Sequence, residues 1–428
     1  MSIAQLAHSV RSGERSAVEV AAEAVAALEK LASLNLVTWM DADMAAIQAR
    51  GVDNALAAGR NPGLLAGVPV CIKDNLAFAG APLECCSPAL RGHAAVQSAT
   101  VVERLMDAGA VIVARTNMDE FAMGSSTETS MHGPARNPRD PSLSCGGSSG
   151  GSAGVVAAGA VPLALGSSTG GSVCQPASHC GVVGLEPTWG RLSRNGLVAF
   201  ASSMDRVGLF TRTVEDAALV LSVLEGPDPL DPTSLELYEG DQGGLRVGLL
   251  QPDAVSPSLS EAVRGRVQRL PITEVQLPLL DEALACYTVL SCAEASSTLA
   301  RYDGVAYGSG EPLGPEVKRR VLLGTWLARA GHAEQWVGRA QAVRRMLQAA
   351  VEELLTEVDV LALPTTASGP FALGSLDAAA LRQQDRFTAL PALTGNPAIS
   401  VPCGDSGVLL IGRRGQETGL LQAAALLQ

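Results

Sequence analysis

The segment between Asp140 and Glu186 contains no Asp, Glu, Lys or Arg, although charged residues make up 17% of the chain. Glycine and serine dominate this segment, and Pro162 and Pro176 interrupt it, so it does not form a membrane-spanning helix. It carries two Gly/Ser clusters, CGGSSGGSAG at 145–154 and SSTGGSVCQPA at 167–177. A long uncharged stretch of this kind predicts buried structure with two glycine-rich loops, and these loops are the candidates for chemistry.

Two simple interpretations of the clusters are disfavoured. A flexible Gly/Ser linker does not hold buried structure, yet the run VVAAGAVPLALG at 155–166, between the clusters, is typical of a core. A phosphate-binding loop would need a Gly-Lys-Ser/Thr ending or a G-x-G-x-x-G motif after a clear strand, and the clusters have neither. A site for a nucleophilic serine is the favoured interpretation.

One version of that site is the nucleophile elbow of α/β-hydrolases. Residues 146–150 and 150–154 both match its G-x-S-x-G pattern, but Gly/Ser-rich sequence produces this short pattern by chance. An elbow enzyme also needs a downstream Asp followed by a His. The later histidines are His179 and His332, and neither lies in a loop rich in catalytic partners.

The other version is a serine assisted by a lysine. Lys73 ends the apolar run VPVCIK, at the tip of a predicted strand, where a lysine is costly unless it is used. From position alone, a surface lysine paired with Asp74 explains it equally well. The Gly/Ser clusters favour the lysine-assisted site.

Helix and strand signals alternate along the chain, as in an α/β fold. Helices are predicted after the capping boxes Ser16/Glu19 and Thr100/Glu103, the second closed by Gly109, and at 213–226 and 334–356. Strands are predicted at the end of 65–73, at 110–115, 244–250 and 358–364, and on both sides of 404–407, with a short apolar helix after them.

Bulk properties limit the classes of function. The formal net charge is −12, so general attraction to nucleic acid or an anionic membrane is not expected. We find no stretch of signal-peptide or membrane-span length, which predicts a soluble, cytosolic protein. The nine cysteines are scattered without a C-x-x-C pair, which predicts reduced thiols and no metal site. A length of 428 residues would suit two or three domains, but the lack of repeats and linkers favours one.

With Lys73 and both clusters in view, the chain closely resembles the amidase signature family from Ala66 to Cys403. Within that family it is most similar to the A subunits, the glutaminases, of Asp/Glu-tRNA(Asn/Gln) amidotransferases, especially over 180–208, 294–304 and 316–325. The resemblance implies an α/β amidase signature fold, a large mixed central β-sheet covered by α-helices on both faces. It also implies a single amidase domain over 1–428, with a helical segment at about 1–60 packing on it.

The family's catalytic triad maps onto Lys73, Ser148 and Ser172. By this resemblance Ser172 is the nucleophile, Ser148 relays its proton, and Lys73 is the base that returns the proton to the leaving ammonia. A lysine with an ordinary pKa of about 10.4 is no base at pH 7, so burial among uncharged residues must lower the pKa of Lys73. The oxyanion hole is expected from four backbone N–H groups, those of Thr169, Gly170, Gly171 and Ser172.

The resemblance also maps glutamine recognition onto Tyr287, Arg320 and Asp385. Arg320 suits the substrate α-carboxylate and Asp385 the α-ammonium. Without the resemblance, we would interpret Arg320 as part of a solvated basic helix face. We would interpret Asp385 as a surface charge beside Arg386.

The same resemblance implies partners for the chain. These are glutamine, the B and C subunits of a heterotrimer, and misacylated tRNA reached through the B subunit. The chain has no ATP motif, so ATP and Mg²⁺ would be used by the partner subunit, and this chain would need no cofactor or metal of its own.

The chain departs from the family pattern beside the nucleophile. Ser168 and Cys174 stand where relatives usually carry Asp and Arg, and Cys145 stands where a proline is expected. The chain is also shorter than most relatives at 310–315 and after Val408. Three hypotheses follow: an amidotransferase glutaminase subunit, a stand-alone amidase for another carboxamide, and a catalytically impaired scaffold on the same fold.

Overall fold

The computed structural model describes residues 1–236, 245–252 and 255–428. The helices, named in chain order, are α1 Ile3–Arg11, α2 Ala17–Lys30, α3 Ala42–Ala57, α4 Thr100–Asp107, α5 Gly150–Ala157, α6 Cys174–Cys180, α7 Val214–Leu224, α8 Pro257–Val267, α9 Ala283–Leu299, α10 Pro315–Leu327, α11 Arg339–Glu357, α12 Ala378–Gln383, α13 Ala389–Thr394 and α14 Glu417–Leu427.

The strands, named in chain order, are β1 Val37–Met40, β2 Pro69–Lys73, β3 Val111–Thr116, β4 Arg136–Asn137, β5 Asp140–Ser144, β6 Leu163–Ser168, β7 Val183–Glu186, β8 Arg206–Thr211, β9 Val247–Leu250, β10 Ile272–Val275, β11 Val360–Pro364, β12 Ala398–Cys403 and β13 Ser406–Gly412. Strands β4 and β5 form a separate ribbon. The other eleven form one sheet in the order β1-β3-β2-β6-β8-β7-β12-β13-β11-β9-β10.

The large sheet is mixed. Strands β3, β2 and β6 are parallel neighbours, as are β11, β9 and β10, and the strands between these two groups pair antiparallel. Because β2 and β6 are adjacent and parallel, the loops that follow them leave the same edge of the sheet. This topology brings the end of β2 next to the second Gly/Ser cluster.

Helices cover both faces of the sheet, because successive residues of each buried strand point to opposite sides. Val70 and Ile72 pack in one cluster with α1, α4, α7, α8 and α14, whereas Cys71 between them packs with α2, α3, α5 and α6. At the other end, Leu361 and Leu363 pack with α9, α10, α11 and α13. The predicted α/β fold with a large mixed sheet is confirmed.

Most of the predicted elements are confirmed. Ser16 caps α2 with the expected capping box, and α7, β2, β3, β11, β12, β13 and α14 lie where the sequence indicates. The predicted strand 244–250 is observed as β9, and its residue 244 lies outside the described residues.

Two details of the predicted helices are wrong. The predicted cap of α4 is absent, because Thr100 is the first helical residue and its hydroxyl donates instead to Asp228, at 2.6 Å. The predicted helix 334–356 is a π-helix at Ala333–Gly338 followed by α11. The amphipathic pattern of the sequence does not distinguish these two hydrogen-bond spacings.

The first sixty residues are not purely helical. Strand β1 follows α2 and adds to the edge of the sheet, where it pairs antiparallel with β3. Helices α2 and α3 are joined by Asp53, whose carboxylate accepts from the backbone N–H groups of Ala17 at 2.7 Å and Val18 at 3.2 Å. This segment is therefore fixed to the sheet by strand pairing and by side-chain packing.

Two further features concern the sequence predictions. Within the described ranges, no helix combines the length and the apolar character needed to cross a membrane. All nine cysteines are free thiols and all are buried.

Candidate active site

The side chain of Lys73 lies at the end of β2 and is fully buried. Its Nζ is 2.8 Å from Ser148 Oγ and 2.7 Å from Ser149 Oγ. It also lies 3.0 Å from the hydroxyl and 3.1 Å from the carbonyl oxygen of Ser167, on the adjacent strand β6. The lysine is thus surrounded by serine oxygens from both Gly/Ser clusters.

Asp74 is not the partner of Lys73. Its carboxylate is buried and accepts from Arg115 Nε at 2.9 Å, in an ion pair across β2 and β3. The interpretation of Lys73 as a surface lysine paired with Asp74 is therefore wrong. Arg115 therefore neutralises Asp74, and among the residues that the structure describes no carboxylate forms an ion pair with Lys73.

Burial lowers the pKa of Lys73 to about 7, because the charged ammonium loses its hydration. The buried carboxyl of Asp119 opposes this shift. That carboxyl is itself held by the N–H groups of Ser126 at 3.2 Å and Thr127 at 2.8 Å, and burial raises its pKa. A lysine with a pKa near 7 is partly neutral at physiological pH and can accept a proton there.

Several backbone N–H groups of the first cluster donate to neighbouring atoms of the protein. Gly147 donates its N–H to Gln175 Oε1 at 2.8 Å, Gly150 donates to Thr127 Oγ1 at 3.2 Å, and Gly151 donates to the Asn117 carbonyl at 3.1 Å. These N–H groups are committed within the protein, so they do not cradle a phosphate. The cluster is also fully buried, which excludes a flexible linker.

The elbow interpretation lacks its histidine. His179 lies in α6, fully buried, and burial lowers its pKa to about 3. His332 lies beside Trp326, with its Nδ1 3.0 Å from the Trp326 carbonyl oxygen. In the described part of the chain, neither histidine forms a hydrogen bond with a serine, so the Ser-His arrangement of an elbow enzyme is absent there.

Ser172 lies in the loop that joins β6 to α6, and its side chain is 7% exposed. Across the described ranges its hydroxyl makes no hydrogen bond, not even to Ser148 or Lys73. The loop itself is fastened at two points. Thr169 Oγ1 donates to Asp205 at 2.6 Å, and the Gly170 carbonyl accepts from Thr388 Oγ1 at 2.9 Å. A fixed loop with an unengaged hydroxyl suits a nucleophile awaiting its substrate.

The four predicted oxyanion-hole donors are not equivalent. The Gly171 N–H donates to Ser168 Oγ at 3.0 Å and is therefore occupied. The N–H groups of Thr169, Gly170 and Ser172 find no acceptor among the residues that the structure describes. These three remain available for a developing oxyanion, whereas the fourth braces the loop.

At the two unusual positions beside Ser172, other groups hold the loop. Ser168 accepts the Gly171 N–H, and Cys174 donates its own N–H to Glu186 Oε1 at 3.2 Å. Glu186 Oε2 lies 3.2 Å from Arg206 Nη2, in an ion pair between β7 and β8 that is fully buried. The buried Glu186–Arg206 pair thus holds the start of α6, directly after the loop, without a charge at positions 168 or 174.

The three predicted substrate-binding residues lie close to the β6–α6 loop that carries Ser172. A methyl group built on Gly170 would fall 2.4 Å from Tyr287 Cζ, so the tyrosine ring packs directly on this loop. Burial raises the pKa of Tyr287, with Arg320 opposing and Asp385 adding to the rise. Arg320 and Asp385 therefore lie within electrostatic reach of the same ring.

Neither Arg320 nor Asp385 is a surface charge, since each is 5% exposed. Arg320 Nε donates to Glu316 at 2.7 Å. Asp385 Oδ2 accepts from Ser125 Oγ at 2.6 Å, while Oδ1 is buried with no hydrogen-bond partner in the described part of the protein. Burial raises the pKa of Asp385 to about 7. The surface interpretations of both residues are wrong, and the unpartnered oxygen can accept from a cation.

A cavity of about 490 Å³ opens beside these residues. Arg320, Glu316 and Ser125 line it, together with Arg319 and Arg382 at its rim. Its walls carry both signs of charge, as a site for a zwitterionic molecule would, but Ser172, Tyr287 and Asp385 are not among its lining residues.

Sequence reasoning missed several residues of this site. Ser149 and Ser167 contact Lys73, Gln175 links the two clusters, and Thr388 fastens Gly170. The first three lie within the uncharged stretch, and that composition was the available signal for them. Thr388 is distant in sequence and carries no local signal.

The amidase family model matches residues 19–421. The A subunit of the glutamyl-tRNA(Gln) amidotransferase of Synechococcus sp. (strain RCC307) is 42% identical over 100% of this chain and 94% of its own length. The corresponding A subunit of Carboxydothermus hydrogenoformans is 42% identical over 99% of this chain and 96% of its own length.

Solved structures agree with these matches. The glutamyl-tRNA(Gln) amidotransferase A subunit of Thermotoga maritima superposes with a TM-score of 0.76 and 39% identity, over 86% of this chain and 84% of that one. A chain from a vestigial protein complex, described as revealing the evolutionary origins of an s-triazine catabolic enzyme, superposes with a TM-score of 0.92 and 32% identity, over 100% of this chain and 98% of that one.

Proposed function

This chain belongs to the amidase family, and on that premise we propose that it is the glutamine-hydrolysing A subunit of a glutamyl-tRNA(Gln) amidotransferase. The observation that carries the proposal is the buried Lys73, whose pKa is lowered to about 7, in direct contact with Ser148 and beside the loop of Ser172. The A-subunit relatives, more than 40% identical along nearly the whole chain, support the choice of glutamine over other carboxamides.

In the proposed reaction, Ser172 Oγ attacks the carboxamide carbon of glutamine. Its proton passes to Ser148 as Ser148 gives its own proton to the neutral Lys73 amine. The oxyanion accepts from the free N–H groups of the nucleophile loop, each worth about 3 kcal/mol. When the C–N bond breaks, Lys73 returns the proton through Ser148 to the leaving ammonia. Water then hydrolyses the acyl-Ser172 ester by the same relay and releases glutamate.

Substrate recognition rests on the charges above the loop. The guanidinium of Arg320 would hold the α-carboxylate, and the unpartnered Oδ1 of Asp385 would accept from the α-ammonium. Tyr287, packed on Gly170, would form the wall against which the side chain of glutamine lies. The mixed charges of the cavity agree with an amino-acid substrate.

The remaining parts of the proposal concern partners. We infer that the chain works in a heterotrimer with B and C subunits in the cytoplasm. The ammonia passes to the B subunit, which binds misacylated tRNA and uses ATP and Mg²⁺. This chain itself is proposed to need no cofactor. Its charge of −12 agrees with leaving tRNA to another subunit.

The first prediction tests the chemistry without any partner. A fluorophosphonate probe, which phosphonylates activated serines, should label the full chain at Ser172. Ser172→Ala should abolish labelling, because it removes the attacking oxygen. Lys73→Ala should slow labelling by about 100-fold or more, because it removes the base. Mass spectrometry of the labelled peptide provides the measurement.

The substrate is tested separately. Glutamate release from glutamine, measured with the B and C subunits added, should exceed release from unrelated carboxamides. Labelling without glutamine hydrolysis, even with both partners, would assign the chain to the stand-alone amidases. A correctly folded chain without any labelling would identify a catalytically impaired scaffold.

A further inference from the structure

Gln175 connects three parts of the proposed site that are distant in sequence. It lies in the first turn of α6, three residues after Ser172, and its side chain is fully buried. Its Oε1 accepts the N–H of Gly147 at 2.8 Å, and its Nε2 donates to the Ser125 carbonyl at 3.0 Å. The planar amide of Gln175 thus joins α6 to the first Gly/Ser cluster and to the loop of Ser125.

The bond to Gly147 acts on the relay serine. Gly147 directly precedes Ser148, and the peptide bond between them is cis. Gln175 accepts from the backbone N–H of Gly147, one residue before Ser148. The fit is close, since a methyl group built on Gly146 would fall 2.4 Å from Gln175 Oε1. The amide therefore fixes where the backbone carries Ser148 relative to α6.

The bond to Ser125 acts on the substrate side. Ser125 uses its carbonyl to accept from Gln175 and its hydroxyl to donate to Asp385, at 2.6 Å. The carboxylate proposed to bind the α-ammonium is thus connected to α6 through two consecutive hydrogen bonds. A shift of Gln175 would move both Ser148 and the partner of Asp385.

The neighbours require a carboxamide at this position. Gly147 offers an N–H donor and Ser125 offers a carbonyl acceptor, so the side chain between them must accept at one end and donate at the other. The remaining N–H of Nε2 points to His179 Nδ1, at 3.5 Å. Glutamate keeps the acceptor and loses the donor, whereas methionine keeps the shape and loses both.

We propose that Gln175 is a positioning residue for the amidase reaction, whose amide aligns Ser148 with Ser172 and links both to the substrate-binding carboxylate. The inference rests on the proposed function, because it assigns a role within that reaction. Gln175 does not touch the reacting atoms. Its removal should therefore slow the chemical step more than it weakens the binding of substrate.

The test compares variants of the full chain. Gln175→Met should lower the rate constant for fluorophosphonate labelling of Ser172 by about tenfold or more, since small misplacements of reacting groups have effects of this size. Gln175→Glu should also lower this rate constant, because its carboxylate cannot donate to the Ser125 carbonyl. In the glutaminase assay with partners, kcat should fall more than KM rises. Gln348→Met is the control, because Gln348 also donates to a backbone carbonyl, that of Leu393 at 3.3 Å, but it is partly buried and lies in α11.

The outcomes separate the inference from the function on which it rests. If the wild type is not labelled, the proposed function fails. If the wild type is labelled and both folded Gln175 variants react at its rate, Gln175 supports only the fold and the inference is overturned, even if their melting temperatures fall. Should the Met variant not fold, the Glu variant decides alone: a wild-type rate overturns the inference, and a slower rate with an unchanged melting temperature supports it.

Discussion

At the scale of single residues, the site depends on placing ionisable groups where water cannot reach them. A buried lysine is unfavourable for stability but useful as a base, because the desolvation that penalises its charge also brings its pKa into the working range. Burial shifts the pKa of Asp385 in the opposite direction and raises it, because the carboxylate loses its hydration. Both groups titrate near pH 7, but only their deprotonated forms serve the proposed reaction.

The similar pKa values of Lys73 and Asp385 predict the pH dependence of the reaction. Between pH 6 and 8, kcat/KM for glutamine should rise with pH, because the neutral fraction of Lys73 and the ionised fraction of Asp385 both grow. The slope should be steeper than one ionisation gives. Asp385→Asn should reduce the slope to that of a single group and raise KM by about tenfold or more, through loss of a charged partner. A flat profile for the wild type over this range would contradict the assignment of Lys73 as base.

Lys73 and the two Gly/Ser clusters stood out in the sequence, and the resemblance to the amidase family then selected Ser148 and Ser172 among their serines. Their triad roles remain predictions. The contacts of Ser149, Ser167 and Gln175 could not be predicted, since they depend on how two loops meet across β2 and β6. The same limit applies to Ser125 and Thr388, which reach the site only through the folded chain.

At the scale of elements, the loop that carries Ser172 and the start of α6 are supported by the pair Glu186–Arg206 between β7 and β8. Arg206 also donates to the carbonyls of Pro187 at 3.1 Å and Asn396 at 2.7 Å. Glu186 in turn accepts from Cys174 at the start of α6. The pair therefore joins two strands to the helix that follows Ser172.

Breaking this pair should be costly. Glu186→Leu should lower the free energy of unfolding by about 3–5 kcal/mol, because it leaves Arg206 buried without a counter-charge. The double variant Glu186→Leu/Arg206→Leu should lose less than the sum of the two single variants. Urea denaturation of the three variants gives the comparison.

An exposed ion pair serves as the control. Arg264 lies 2.6 Å from Glu274 at the surface, and Glu274→Leu should change the free energy of unfolding by no more than about 1 kcal/mol. Equal losses for Glu274→Leu and Glu186→Leu would show that burial of the Glu186–Arg206 pair has no special role in stability.

The elements that could be predicted from sequence were those with local signals. Ser16 and Thr213 cap their helices through bonds to residues three positions ahead, which a sequence pattern captures. Thr100 has the same pattern, but a tertiary bond to Asp228 competes for its hydroxyl. The edge strand β1 was missed because it is only four residues long, although its residues VTWM favour a strand.

At the scale of the whole molecule, we infer that residues 1–428 form one amidase domain with the first sixty residues as an integral layer. Leu6, Val20 and Leu28 of α1 and α2 pack in the same cluster as Cys71 and Val111 of the central strands. The sheet is covered on this side by the part of the chain that precedes Lys73.

Truncation tests that inference. A chain of residues 61–428 should be insoluble or aggregated, because it exposes the apolar faces of β2 and β3 and removes the paired edge strand β1. Soluble yield and size-exclusion chromatography, with the full chain expressed in parallel, provide the measurement. A soluble, monodisperse fragment that is still labelled at Ser172 would show that the segment is a separate appendage.

The burial of all nine cysteines has a practical consequence for studying the assembly. Buried thiols, such as Cys71 whose pKa is raised by desolvation, present little thiolate to alkylating reagents. A cysteine introduced at Val96, which is 95% exposed, would therefore react with maleimide far ahead of the native thiols. The native cysteines should therefore take up little fluorophore or spin label. Distances to partner subunits can be measured from one introduced cysteine without first removing any native one.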